Sequence, residues 1–222
     1  MRHRPLYLFF FILIFGVVAF GQPKVAKPTP EPTRKLDPLS DVEKSLDYRK
    51  LLQSQPDYVA DEKYFYWEGF GGFSIVNKVG RKGPRSFQDT GMIRVLADGE
   101  RTVTMHPASK NFEEVKDGGK AVNNLSGLVT QLLSREGITF VPLGIMTVNG
   151  KYPAIQVEVK GKDAKRQVFL YFAKDLKYLV VASESIGPPP YRETRQLFNV
   201  SLEPADDLFQ IPTGYSATPK HT

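Results

Sequence analysis

Between residues 39 and 56 the apolar positions fall at helical spacing, with Val42, Leu46, Tyr48, Leu51 and Leu52 forming an imperfect stripe. Ser40 and Glu43 form an S-x-x-E capping box, which satisfies two orphan amide donors reciprocally, and Pro56 stops the helix. From Tyr58 the period changes to that of strands and turns. "KYFYWEG", "GFSIVNKVG" and "GMIRVLADGERTVTMHP" follow, the last with Asp98-Gly99 between two β-like runs. That pair predicts a tight hairpin with positive φ at both central residues. "KNFEEV" reads as a short further strand. A second helix is predicted across "GGKAVNNLSGLVTQLLSREG", where Val122, Leu125, Val129, Leu132 and Leu133 recur at helical spacing and Gly137 suits a left-handed cap. A hairpin around Asn149-Gly150, another turning at Lys174-Asp175 and a last strand "RETRQLFNVSLEP" complete the series. The order is helix, about four strands, helix, about five strands, with no βαβ alternation. That order predicts an α+β domain with a large antiparallel sheet.

The strands differ in how they alternate. In "AIQVEVKG", Ile155, Val157 and Val159 oppose Gln156, Glu158 and Lys160, so one face meets water. "QVFLYFA", "YLVVA" and "YFYW" are apolar or aromatic on both faces and need cover on both. Two helices can cover one concave face. The chain then closes on "EPADDLFQIPTGY", which carries Leu208, Phe209, Ile211 and Tyr215 close to its end. Pro204 suits a first helical turn, with Asp206 and Asp207 favourable at its positive end. One short turn there is expected to swing the apolar residues back onto the sheet edge.

Composition changes the picture mainly at the other end. "MRHR" precedes a charge-free run of fifteen residues, Leu6 to Phe20, and Ala19 and Gly21 supply small residues before Gln22. This is the pattern of a secretory signal peptide over residues 1–21. The alternative is an uncleaved anchor, although spanning a bilayer takes about 17–25 apolar residues. Five prolines in residues 22–38 and almost nothing large and apolar there predict a tether that cannot fold on its own. Residues 39–222 remain as a single domain. Without cysteine, the exported fold rests on its core alone. Losing Arg2 and Arg4 with the signal lowers the net charge from +6 to +4, a mild excess that favours solubility and argues against nucleic acid as partner.

Catalytic chemistry finds no support. Outside the signal the histidines are His106 and His221, and a lone histidine without cysteine or clustered carboxylates is a poor metal site. No G-x-S-x-G elbow occurs, and "GFGGF" lacks the Lys-Ser/Thr of a phosphate loop, so it reads as a bend in a curved sheet. Glu113 and Glu114 are strand neighbours and point to opposite faces, so they cannot readily share a proton. The basic runs "KVGRKGPR" and "KGKDAKR" read as solvated loops. No cofactor and no catalytic or metal residue is assigned.

"RTVTMHPASKNFEEV", "YFAKDLKYLVVASES", "ETRQLFNVSLEP" and "DDLFQIPTGY" together resemble exported bacterial proteins of the outer-membrane lipoprotein carrier (LolA-like) superfamily. They are most similar to its uncharacterised relatives ending in "LFxIPxGY". The resemblance runs from about Tyr58 to Tyr215 and implies an open half-barrel sheet curved around helices, with an apolar cavity that in the carriers holds lipoprotein acyl chains. It implies a periplasmic or cell-envelope location and lipid or lipoprotein acyl chains as partners. The proline tether departs from a minimal carrier, and no segment matches the carriers' lid. Residues expected to line a cavity are Tyr64, Tyr66, Trp67, Val122, Leu125, Val129, Leu132, Phe169, Tyr171 and Val180. The competing reading is an envelope interaction or sensor domain whose concave face is filled core and whose partner is a protein.

Overall fold

The computed structural model describes residues 35–69, 71–116, 122–161, 165–188 and 191–218. The expected signal, most of the tether, His221 and the middle of "KGKDAKR" lie outside them. The helices are α1 (Asp41–Lys44), α2 (Tyr48–Gln53) and α3 (Leu125–Leu133). Before α3 run β1 (Tyr58–Glu68), β2 (Gly71–Lys82), β3 (Arg85–Asp89), β4 (Arg94–Ala97), β5 (Thr102–His106) and β6 (Asn111–Val115). After it run β7 (Thr139–Val148), β8 (Tyr152–Lys160), β9 (Gln167–Ala173), β10 (Leu179–Ile186), β11 (Arg192–Ser201) and β12 (Ser216–Ala217). All twelve described strands join one unclosed sheet in the order β12-β6-β5-β4-β3-β2-β1-β11-β10-β9-β8-β7. Every pairing is antiparallel except β12 with β6. This is an α+β open half-barrel, as expected.

Three local expectations change. The first helix is two short ones, because Ser45 closes α1 and Asp47 caps α2 by accepting from the Lys50 amide at 3.0 Å. The capping box at Ser40 and Glu43 is present as predicted. "KVGRKGPR" is not a loop: β2 runs to Lys82, Gly83 turns at φ 57°, and Arg85 opens β3, paired to Lys82. At Asp98-Gly99 only Gly99 takes positive φ (93°), because the Asp98 carboxylate instead accepts from the Glu100 and Arg101 amides. The Asn149-Gly150 turn holds as predicted, both residues having positive φ (55° and 64°). Leu36 and Asp37, from the end of the expected tether, lie along β7. Asp37 exchanges two 2.9 Å backbone bonds with Ile145, and Leu36 sits over Gly144, where a Cβ would come within 2.6 Å of it.

Register divides the sheet into two faces, since directly paired residues project to the same side. One face carries Tyr58, Ala60 and Glu62 with Val79, Asn77, Leu197, Leu170 and Val157. The helices cover it: Tyr48 of α2 meets Phe172 edge-on at 5.3 Å, and Leu125, Val129 and Leu132 of α3 are buried in the same cluster. The opposite face carries Val59, Phe87, Leu96, Val103 and Met105. There the C-terminal turn Asp206–Phe209 docks, forming a second core of Phe87, Leu96, Val103, Met105 and Phe209, with Leu208, Ile211 and Tyr215 packed beside it. The expected return of this stretch to the sheet is therefore observed, onto a face and not only an edge. The edge contact is made by β12, where Ser216 N–H donates to Lys110 O at 3.0 Å and Thr218 N–H to Phe112 O at 2.8 Å.

Candidate functional site: an aromatic platform beside the third helix

The ten residues expected to line a cavity fall into three places. Leu125, Val129, Leu132, Val122 and Val180 are all buried. Helix α3 starts at Leu125 and not at Val122 because Asn124 caps it, its side chain accepting from the Gly127 amide at 2.9 Å. The space left between α3, Tyr58, Leu179 and Val180 measures only about 10 Å³. That is at the threshold for one water, so these side chains form close-packed core.

Tyr64 and Tyr66 lie on the same face as α3, just beyond its N-terminal end. The β1–β2 register pairs Tyr64 with Ile75 and Tyr66 with Phe73, so the four side chains form one strip. The Phe73 ring is 5.6 Å from both tyrosines, and Tyr191, from the start of β11, meets Tyr66 edge-on at 5.7 Å. Phe73 is 50% exposed and Ile75 41%. The Arg166 guanidinium stacks on Tyr191 at 3.7 Å. Tyr66 donates its hydroxyl to Glu68, and Tyr191 donates to Glu193 at 2.6 Å. Burial and these carboxylate contacts raise the Tyr191 phenol well above its ordinary range. Both hydroxyls stay protonated at neutral pH.

A buried polar cluster anchors the strip. Glu62 is fully buried, and its Oε2 accepts from the first amide of α3, Leu125, at 2.7 Å. Its Oε1 accepts from Arg195 Nη1 at 3.0 Å. Arg195 also donates to Asn123 O and Oδ1 (3.0 and 2.8 Å) and to Glu193, while its guanidinium lies 4.3 Å from the Tyr64 ring. Burial pushes the Glu62 carboxyl up, and Arg195 and the Leu125 amide oppose that push. The cluster fixes where α3 begins, and beyond that point Phe73 and Ile75 remain exposed.

Trp67, Phe169 and Tyr171 project from the other face of the sheet. Register pairs Trp67 with Gly72 and Arg192, and Phe169 with Glu158 and Glu184. The Trp67 ring crosses Gly72, where a Cβ would meet Trp67 Cε3 at 2.6 Å. Tyr171 donates its hydroxyl to Glu184 at 3.1 Å, and Glu184 pairs with Arg192 at 2.7 Å. The structure therefore does not bring these three together with Tyr64 and Tyr66. Conversely, Phe73, Ile75, Tyr191, Arg166 and Arg195 belong to the strip and were absent from the expected set. A signal existed for two of them: alternation in "GFSIV" opposite "KYFYW" selects Phe73 and Ile75 once the strands are paired. For Arg195 there was none, since it lies 133 residues from Glu62.

An unclosed antiparallel sheet with helices across one face and an open aromatic strip at their end defines the class: an open half-barrel fold. No family model and no curated protein matches the chain. Among solved structures, an uncharacterized conserved protein from Thermus thermophilus is similar at TM-score 0.50 and 6% identity, over 77% of this chain and 94% of its own. That likeness is one of fold. A DUF1329 family protein from Desulfovibrio piger matches at TM-score 0.38 and 12% identity, over 73% of this chain and 93% of its own. A domain assigned to an outer membrane lipoprotein-sorting protein of Vibrio parahaemolyticus matches at 0.33 and 11%, over 69% and 88%.

Proposed function

We propose that the protein is a non-catalytic binding protein of the cell envelope whose ligand is a lipid or another acyl-bearing molecule, held along the strip Tyr64, Tyr66, Phe73, Ile75 and Tyr191. One observation carries this reading: among the described residues an aromatic and aliphatic strip on the helical face of the sheet keeps Phe73 and Ile75 exposed, while the space beneath α3 is only about 10 Å³. Monomeric proteins rarely leave such a patch without use for it. Each acyl CH₂ would contribute at most roughly 0.8 kcal/mol, the value for full burial, and Arg166 beside Tyr191 offers a cation to an anionic headgroup. The charged, apolar and small-residue regions at residues 1–21 support export, and the proline-rich stretch after them supports a tethered or free envelope domain.

The test has two arms. Organic extraction of the purified protein, followed by mass spectrometry, should recover a bound lipid. Delipidated protein titrated calorimetrically with a long-chain fatty acid should bind, and Phe73→Ser should weaken that binding about tenfold by removing a half-exposed ring that the ligand would cover. A protein free of lipid that gives no heat with fatty acid would favour the second reading, an envelope interaction module. The packed space under α3, about 10 Å³, is the observation on its side.

A further inference from the structure

A cavity of about 250 Å³ lies on the sheet face opposite α3, under the C-terminal stretch. Its floor is Leu96 of β4 and Val103 of β5, and its wall is Phe209 and Ile211. Arg85 of β3 and Asp98 and Arg101 of the β4–β5 turn stand at the rim. The pocket is half open to solvent, and the C-terminal stretch is fastened beside it. Phe209 is pinned edge-on to Phe87 at 5.3 Å, Asp206 is tied to Lys82 and Arg85 at 3.1 and 3.0 Å, and β12 anchors the chain beyond. Gln210, extended at φ −126° and ψ 156°, lines the pocket between Phe209 and Ile211.

The charged groups at the rim are mostly engaged with one another. Asp98, the one carboxylate lining it, is spent on its own turn: Oδ1 accepts from the Glu100 and Arg101 amides, and Oδ2 from Arg101 Nε at 2.9 Å. Arg101 Nη1 is engaged by Glu114 at 2.8 Å. Arg85 gives Nη2 to the exposed Asp206 and lies 5.5 Å from the Phe209 ring, and among the described residues its Nε and Nη1 meet no acceptor. Lys82, Arg85 and Arg101 are balanced by Asp206, Asp98 and Glu114, so what the rim offers an anionic head over the apolar floor is the pair of unengaged Arg85 N–H groups, Nε and Nη1. An apolar cavity of about 150 Å³ accommodates benzene, so this one has room for a ring or a short chain with a headgroup.

We infer that this cavity is a second ligand site, separate from the aromatic strip, for a small monocarboxylic amphiphile whose carboxylate is taken by Arg85. Amide chemical shifts of the labelled protein, followed during titration with sodium octanoate and separately with 1-octanol, test it. Octanoate should move the Leu96, Val103, Gln210 and Ile211 amides. Octanol should bind about tenfold more weakly, the worth of one charge-assisted hydrogen bond. Arg85→Gln should weaken octanoate by a similar factor, and Ile211→Trp, which fills the cavity from a half-exposed wall position, should abolish the shifts while the protein still melts cooperatively. Phe73→Ser should leave them in place. Shifts confined to the Tyr64–Phe73 strip, no shifts into the millimolar range, or undiminished binding by Ile211→Trp would overturn the site. Equal affinity for octanol and octanoate would overturn its acid preference.

Discussion

Truncating Phe209 to alanine measures how firmly the C-terminal stretch closes the second core. The ring is 7% exposed, meets Phe87 at 5.3 Å with planes 74° apart, and has the Arg85 guanidinium 5.5 Å from its centre. Buried phenylalanine-to-alanine changes cost about 3–5 kcal/mol, of which an edge-to-face pair is worth about 0.5–1.5 kcal/mol. Here the vacated volume joins a 250 Å³ cavity already present, so the new space is reachable from solvent and the void penalty shrinks. The low end of the range, about 3 kcal/mol, is therefore expected. For a domain of this size that lowers Tm by about 6–12 °C. Urea unfolding followed by far-ultraviolet circular dichroism gives the free energy directly, and Phe209→Leu should recover most of it. Hydrogen exchange at Ser216 and Thr218, whose amides pair with β6, should accelerate in the alanine variant. A loss below about 1 kcal/mol would show that Phe209 is not the anchor and would refute the reasoning.

Three further outcomes are expected. Arg195→Ala should cost about 3–5 kcal/mol in urea unfolding because it strands the fully buried Glu62, and a double change to Glu62→Gln with Arg195→Met should restore part of that loss; a single variant as stable as the parent would contradict the anchoring role. Lys174, with help from the Ser40 amide and hydroxyl, holds the Glu43 carboxyl down at about 2, so its stabilisation is present above the ordinary carboxylate range and lost as pH falls toward 2. The Tm gap between parent and Glu43→Gln should accordingly close between about pH 5 and pH 2, and a gap constant with pH would count against the pairing. Gly80→Ala should destabilise by about 1–3 kcal/mol, since its Cβ would stand 2.5 Å from Phe87 Cε1 and 3.0 Å from the Tyr58 carbonyl; thermal melts that do not move would show that Phe87 yields freely.

Which features could be read from the sequence follows from the range of the interactions that set them. The capping box at Ser40 and Glu43, the hairpin at Asn149-Gly150 and the positive φ of Gly137 are decided within a few residues, and each was legible. The side a strand residue faces is decided differently. "QVFLYFA" and "YFYW" are apolar on both faces, so hydropathy carries no parity, and only pairing says that Tyr64 looks toward α3 while Trp67 and Phe169 look away. Parity is broken again by the irregularities between Val59 and Asp61, Pro142 and Gly144, and Val180 and Ala182, each of which shifts the count along its strand. The buried Glu62–Arg195 pair, 133 residues apart, leaves no local trace at all. Yet the alternation rule did demand cover on both faces, and "DDLFQIPTGY" was the one remaining apolar stretch without a partner. The structure keeps those two demands apart: the C-terminal stretch covers β3–β5, not the doubly apolar runs of β1, β9 and β10. Helices α2 and α3 cover one face of the sheet, and the C-terminal stretch covers the other where Phe87, Leu96 and Val103 await it. A sheet of twelve strands is too broad for three short helices to cover, and the surface they leave uncovered is where ligand chemistry has room: the aromatic strip on one side and the arginine-rimmed cavity on the other.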